Sequence, residues 1–324
     1  MNNIGILGCG NIATKMAKTV NLMDGVNLYA VASRSLSKAE KFAQTYKSQK
    51  AFGSYEELLS DDAIDLVYIA VPHSHHYELI KESLNHNKNV LCEKAFTANS
   101  KMAREVLKIA EDKKLLLAEA IWTRYLPSRK IINDIIESGV LGNITSVDSN
   151  LGYNVQMNER IKEKSLAGGA LLDLSVYPIN FTLMFFESEI EKIESSVVLD
   201  KNSGVDGMEN VSIIYENGML ATFRTSIYSN LDRRGVINGD KGYLEISNIN
   251  NPEAIKLYDV NYNLVKEYEI PAQLTGFEYE VQECLDCIEK GVLEAPSMPH
   301  SEIIRVMDIC DDLRKSWNYY FPFE

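Results

Sequence analysis

The sequence predicts an α/β domain on a doubly wound parallel sheet, followed by an α+β domain with a large open, mostly antiparallel sheet. Three observations predict this. Over roughly the first 120 residues, short apolar strands alternate with amphipathic helices through brief connections. Beyond Gly142, long runs of alternating apolar and polar residues take over, separated by turn signals such as Asn217-Gly218 and Asp240-Lys241-Gly242. The chain has 324 residues, enough for two cores. The boundary is expected at 122/123, giving domains 1–122 and 123–324.

The elements follow in order. Ile4-Gly5-Ile6-Leu7 reads as a buried strand running into Gly8-Cys9-Gly10-Asn11-Ile12-Ala13, a G-x-G-x-x-A turn. Ile12, Met16 and Val20 then recur at helical spacing. Gly8 permits the tight turn, Gly10 lets backbone approach a pyrophosphate, and Ala13 is small enough for close helix–strand packing. The N–H groups around Asn11 and Ile12, with the helix dipole, favour phosphate. A structural turn has the same glycines, but strand, turn, helix and second strand together point to a Rossmann dinucleotide site. The second strand, Val26–Ala32, ends in Ser33-Arg34, where an NAD site would carry an acid on the ribose 2′-hydroxyl. Arg34, with Lys38 one helical turn on, suits a 2′-phosphate and favours NADP(H) over NAD(H), although a solvated surface charge reads the same way.

Helix signals continue at Ser37–Lys47, Ser54–Ser60, His75–His86 and Asn99–Lys113, and strand signals at Asp65–Val71, Asn89–Cys92 and Leu115–Ala118. A helix at Leu126–Ser138 leads to the second half. Its strands are expected at Ile144–Tyr153, Glu191–Leu199, Glu209–Tyr215, Met219–Ser229, Arg234–Asn238 and Tyr243–Ser247. Closing helices are expected near Gly276–Lys290 and His300–Trp317. A broad sheet with one face unaccounted for predicts a homo-oligomer, dimer or tetramer.

Composition narrows the partners. With 33 basic and 46 acidic residues the net charge is −13, which disfavours nucleic acid and anionic membranes. Met1-Asn2-Asn3 leads straight into the first strand, so no secretion signal and a cytoplasmic location are expected. Five cysteines are then expected reduced, with Cys284-x-x-Cys287 read as helix-face packing. The apolar stretch Ala167–Phe186 contains Asp173, Ser175, Pro178, Asn180 and Thr182, so a buried helix is expected rather than a membrane span.

Three constellations can carry chemistry. Val71-Pro72-His73-Ser74-His75-His76 follows a strand; without a nearby carboxylate it reads as lining of the cofactor cleft, not as a metal site. Glu93-Lys94 ends the next strand at the ligand edge of the sheet, where a lysine is either a surface cation or a polarising group. Gly168-Gly169-x-x-x-Asp173-x-x-x-Tyr177 sets an acid and a phenol four apart in an apolar run, on one face if helical.

Taken together, the glycine turn, Glu93-Lys94 and the Gly168–Tyr177 run resemble the glucose–fructose oxidoreductase / inositol dehydrogenase / MocA family of NAD(P)-dependent oxidoreductases over essentially the whole chain. Ala32–Lys38, Glu119–Arg124 and Ala170–Leu174 are most similar to its dimeric dihydrodiol dehydrogenase and NADP-dependent D-xylose dehydrogenase branch. The resemblance implies that Arg34 and Lys38 hold a 2′-phosphate, that Ser33, Pro72, His76 and Glu93 belong to the cofactor site, and that Trp122 lines the substrate pocket. It implies Lys94 and Tyr177 as the catalytic pair, with Asp173 beside them. The family's Glu-Lys-Pro is Glu93-Lys94-Ala95 here, which removes a proline that is often cis. Tyr177 stands where inositol dehydrogenases carry histidine, against an inositol substrate.

The chemistry expected is hydride transfer between nicotinamide C4 and a hydroxyl-bearing carbon of a sugar or vicinal diol. An unperturbed tyrosine, at a pKa of about 10, needs a nearby cation such as Lys94 to act as a base. The alternative is an NADP(H)-binding regulator or sensor that kept the fold and lost turnover, for which Ala95 speaks slightly.

Overall fold

The computed structural model describes residues 2–324. The chain divides into two compact units, Met1–Trp122 with Gln273–Asp308, and Thr123–Ala272 with Ile309–Glu324. This corrects the expected second domain 123–324, because Gln273–Asp308 returns to the first unit. The reason is local bonding. The Leu117 N–H donates to the Leu293 carbonyl at 3.1 Å, and the His300 ring meets the Leu117 carbonyl at 2.9 Å.

The first unit holds β1 (Asn2–Leu7), α1 (Asn11–Val20), β2 (Val26–Ala32), α2 (Leu36–Tyr46), β3 (Lys50–Phe52), α3 (Tyr55–Leu59), β4 (Leu66–Ile69), α4 (His76–Asn85), β5 (Asn89–Glu93), α5 (Ser100–Lys113) and β6 (Leu117–Ala120). Its six strands are all parallel, in the order β3-β2-β1-β4-β5-β6. Ile4, Ile6, Leu7, Val67, Ile69, Val90 and Leu91 are fully buried, as strands covered on both faces require. The Asn99 side chain accepts from the Met102 N–H at 2.9 Å and so caps α5, worth about 1 kcal/mol. The sixth strand starts two residues later than expected. The Leu115 and Leu116 amides are taken by the Ala110 carbonyl and the Asn89 side chain, leaving the ladder to begin at Leu117.

In the second unit come α6 (Pro127–Glu137), β7 (Ile144–Gly152), α7 (Glu159–Lys162), a π-helical turn at Leu171–Ser175, and α8 (Val176–Leu183). The strands β8 (Ile190–Leu199), β9 (Asp206–Tyr215), β10 (Leu220–Ser226), β11 (Gly235–Gly239), β12 (Gly242–Ile246), β13 (Ile255–Asp259) and β14 (Leu264–Tyr268) follow. The last helices are α9 (Glu278–Lys290) and α10 (His300–Ser316). Eight strands pair in the order β14-β13-β12-β11-β7-β10-β9-β8, antiparallel throughout except for the parallel pair β7–β10. Three strands were not expected. β3 has three residues, β13 was passed over although Ile255 and Leu257 alternate inward, and β14 is an edge with no buried position to betray it.

The stretch Lys164–Leu183, long and apolar enough to cross a membrane, is 94% buried within the protein. It forms the helical layer against β7 and β10.

Candidate active site

The first unit builds its site at the point where the strand order reverses, between β1 and β4. Gly8 adopts φ +108°, and a Cβ there would lie 2.4 Å from the Ala70 carbonyl oxygen at the end of β4. Only glycine fits so close a crossing of two chains. Gly10 differs: it is the N-cap of α1 with extended backbone and no side-chain cap, and a Cβ there would meet nothing within 4 Å. The Asn11 and Ile12 amides at the start of α1 thus stand beside open space, with Ala13 fully buried behind them. An uncapped helix start behind a Cβ-free approach suits the diphosphate of a dinucleotide.

Beside this turn lies a cleft of about 170 Å³ lined by Arg34, Tyr55, Val71, Pro72, His75, Glu78 and Leu79. Ser33 is buried at the end of β2, while Arg34 and Lys38 are exposed. The Arg34 charge acts on Tyr55 and His75, and burial together with that charge lowers the His75 pKa. Burial raises the Cys9 thiol, partly offset by the Lys38 charge. Arg34 thus stands on the wall of the cleft, and the Lys38 charge reaches Cys9 in the glycine turn.

The three histidines part company. His75 lines the cleft, while His73 is buried edge-on to His76. His76 is fully buried, its ring nitrogens 2.9 Å from the Ala95 carbonyl and 3.0 Å from that of Val71. It ties the loop after β4 to the loop after β5.

Glu93 ends β5 and the half-buried Lys94 opens that second loop, where the Lys94–Ala95 peptide bond is cis although no proline is present. Tyr68 on β4 donates its hydroxyl to Glu93. Burial raises the Glu93 carboxyl, opposed by the Tyr68 bond and the Lys94 charge. Two further acids were missed in the sequence. Glu119 accepts the Phe96 N–H at 3.0 Å, and Glu280 on α9 is fully buried with neither oxygen hydrogen-bonded. Burial and the charges of Glu93 and Glu119 push Glu280 well above the carboxylate range. An acid among Phe277, Val281, Cys284 and Leu285 on the buried face of α9 was the signal available.

Trp122 stacks on Phe277, ring centroids 4.6 Å apart. The loop beneath is anchored by Glu278, whose carboxylate accepts the Leu274, Thr275 and Gly276 N–H groups at 2.6, 3.0 and 2.7 Å. Burial raises its pKa, but these bonds outweigh it and hold the group below its usual value. A Cβ on Gly276, at φ +94°, would come within 2.8 Å of the Trp122 ring.

In the second unit, Asp173 and Tyr177 are both buried. Their four-residue spacing does not fall on a regular α-helix. Asp173 sits in the π-helical turn and Tyr177 in the first turn of α8, so the wider turn changes their relative direction. Asp173 accepts from Arg160 at 2.8 Å, an ion pair that spacing could not reveal. The paired glycines also acquire reasons. A Cβ on Gly168 would meet the Ile161 carbonyl at 2.4 Å, and one on Gly169, at φ +117°, the Asp206 carboxylate at 2.0 Å.

A glycine turn at the switch point, a strand-end lysine and a second α+β unit define a nucleotide-dependent oxidoreductase. Residues 2–120 match the oxidoreductase family with an NAD-binding Rossmann fold, and residues 130–245 match the GFO/IDH/MocA C-terminal domain. The chain is 31% identical to human and 30% identical to mouse trans-1,2-dihydrobenzene-1,2-diol dehydrogenase, in each case across 98% of this chain and 97% of the relative. In fold it resembles a 3-ketoreductase from Actinomadura kijaniata in complex with NADP and TDP-benzene (TM-score 0.89, 22% identity, 97% of both chains). It also resembles an aldose–aldose oxidoreductase from Caulobacter crescentus complexed with glycerol (TM-score 0.88, 18% identity, 98% and 97% of the two chains). The chain belongs to the Gfo/Idh/MocA family and is an NAD(P)-dependent oxidoreductase.

Proposed function

We propose that this enzyme is an NADP(H)-dependent dehydrogenase that oxidises, reversibly, a carbinol of a vicinal diol or sugar. The observation that carries the cofactor preference is the cleft with Arg34 on its wall and Lys38 nearby, with no acid at the end of β2 to hold a ribose 2′-hydroxyl. The diol class is supported by full-length similarity to dihydrodiol dehydrogenases.

When bound, the nicotinamide supplies a hydride acceptor or donor at its C4. The chain's residues do the rest. The uncapped start of α1 binds diphosphate, and Trp122, held by Phe277 and Gly276, offers an apolar wall to substrate. Tyr177, as its phenolate, takes the hydroxyl proton as the carbinol hydrogen leaves as hydride, and as the phenol returns it in the reverse direction. Lys94 favours the phenolate, and Asp173, tied to Arg160, orders the polar surroundings of Tyr177. A homo-oligomer joined through the broad sheet of the second unit fits the Tyr243–Tyr258 stack standing on its half-exposed face. Sedimentation of a 36.5 kDa species at micromolar concentration would rule that assembly out.

The test is NADP⁺ reduction across trans-1,2-dihydrobenzene-1,2-diol, aldoses, inositols and cyclic diols. Turnover of a diol or an aldose is expected, and turnover of inositols alone would overturn the reading. With the active substrate, Tyr177→Phe lowers kcat by about 10²–10⁴-fold while NADPH still binds. An unchanged kcat with chemistry rate-limiting removes Tyr177 from the role.

A further inference from the structure

Beneath the π-helical turn that leads into Tyr177 lie two acids, Asp206 and Glu209 on β9, each 1% exposed. Asp206 grips the start of the turn: its Oδ2 accepts the Leu171 N–H at 2.5 Å, and Gly169 lacks a Cβ at the point where its Oδ1 passes. Glu209 grips the end: its Oε2 accepts the Ser175 hydroxyl at 2.6 Å, with Thr225 of the adjoining strand 2.6 Å from that same hydroxyl. Asp173 lies between these two anchors, and Tyr177 lies two residues beyond the second.

We infer that Asp206 and Glu209 are positioning residues for the reaction, holding both ends of the turn so that Asp173 and Tyr177 keep their directions. The inference rests on the reading of Tyr177 as the acid/base.

The pair works through one proton. Two buried carboxyls side by side cannot both ionise without repulsion, and each of these two bears on the other's charge, so the pair holds one proton. Glu209 holds it. Asp206 accepts backbone N–H groups, which favour its charged form, whereas Glu209 meets only hydroxyls. Burial and the Asp206 charge push Glu209 well up, and its Oε1, otherwise without a partner, gains one through that proton. Two phenols are among the groups that face the pair. Tyr319, from the C-terminal segment, is buried beside Asp206, and Tyr228 lies at the backbone of Gly207 with its hydroxyl on Asp200. Neither phenol supplies a cation; Arg314, paired with Asp311 and Glu324, and Lys164, seated over the Tyr319 ring, meet Tyr319.

This arrangement predicts an asymmetry. Glutamine can replace a neutral glutamic acid, giving its amide hydrogen to Asp206 and its oxygen to Ser175. Asparagine cannot replace Asp206, because one of its two acceptor atoms becomes a donor facing donors. Glu209→Gln is therefore expected to keep kcat within about threefold of wild type, while Glu209→Ala and Asp206→Asn lose about 10- to 100-fold with NADPH affinity unchanged. In a Tyr177→Phe background the same changes cost nothing further, since they act through Tyr177. Should Glu209→Ala or Asp206→Asn fail to fold, Ser175→Ala carries the kcat test, with a loss of about three- to tenfold expected.

Infrared difference spectra of substrate-free protein supply a readout independent of turnover. The wild type minus Glu209→Gln spectrum is expected to show a protonated-carboxyl C=O band. The inference is overturned if folded Glu209→Ala or Ser175→Ala keeps wild-type kcat, if the losses add to that of Tyr177→Phe, or if that band is absent. Full activity in Tyr177→Phe alone overturns the acid/base reading and this inference together, so the two failures are told apart by the single variant.

Discussion

Gly8 and Gly10 stand two residues apart in one turn, and alanine at each is expected to fail in a different way. At Gly8 the new Cβ lies 2.4 Å from the Ala70 carbonyl, inside contact distance, and φ is +108°. Backbone strain costs about 1–3 kcal/mol and the forced displacement of β4 a similar amount, together about 2–6 kcal/mol. For a domain of this size that is a fall in Tm of roughly 5–20 °C. At Gly10 the backbone, φ −89° and ψ −171°, is open to any residue, and nothing lies within 4 Å of the new Cβ. Stability then falls only by the poorer N-cap, about 1 kcal/mol or less. The methyl, however, occupies the approach of the diphosphate. Losing one charge-assisted hydrogen bond, about 1.5–3 kcal/mol, weakens NADPH by about 10- to 150-fold. Thermal unfolding by circular dichroism and NADPH fluorescence titration on both variants decide the matter. Wild-type Kd in Gly10→Ala, or wild-type Tm in Gly8→Ala, would refute the division of labour.

Two further outcomes are expected. Arg34→Ala weakens NADPH by at least about tenfold and leaves NADH unchanged in the same titration; equal losses would exclude a 2′-phosphate contact. Glu280 has a native pKa raised above its unfolded value of about 4.3, so its contribution to stability is complete below that value. It is lost as pH rises toward the native pKa, at up to about 1.4 kcal/mol per pH unit. Glu280→Gln should thus gain Tm over wild type as pH rises through that interval, whereas parallel Tm–pH curves would show that Glu280 does not carry the slope.

Much of the first unit was readable because its signals are local. The helix signals beginning at Ser54 and Asn99 mark α3 and α5, whose caps these two residues form by accepting the Glu57 and Met102 amides. A period of two also marks Glu209 as inward-facing, in line with Val211, Ile213 and Tyr215. The partners of such residues were not readable, because hydrogen bonds and ion pairs form across separations the chain order does not encode. Asp173 meets Arg160, Ser175 meets Glu209, and Tyr68 meets Glu93. The 122/123 boundary falls where it was expected, but the unbroken second domain 123–324 fails for the same reason. The amphipathic pattern of α9 says that one face is buried, but not against which unit.

By itself the sequence determined the parallel sheet, the glycine turn with its distinct uses for Gly8 and Gly10, and the mostly antiparallel second sheet. All of these follow from periodicity and from what a missing Cβ permits within a few residues. Only the tertiary structure decided that the Gly168–Tyr177 run opens with a π-helical turn clamped by two carboxyls on β9. That turn is held by acceptors more than thirty residues away, and burial, which sets where their proton resides, is a property of the folded surroundings.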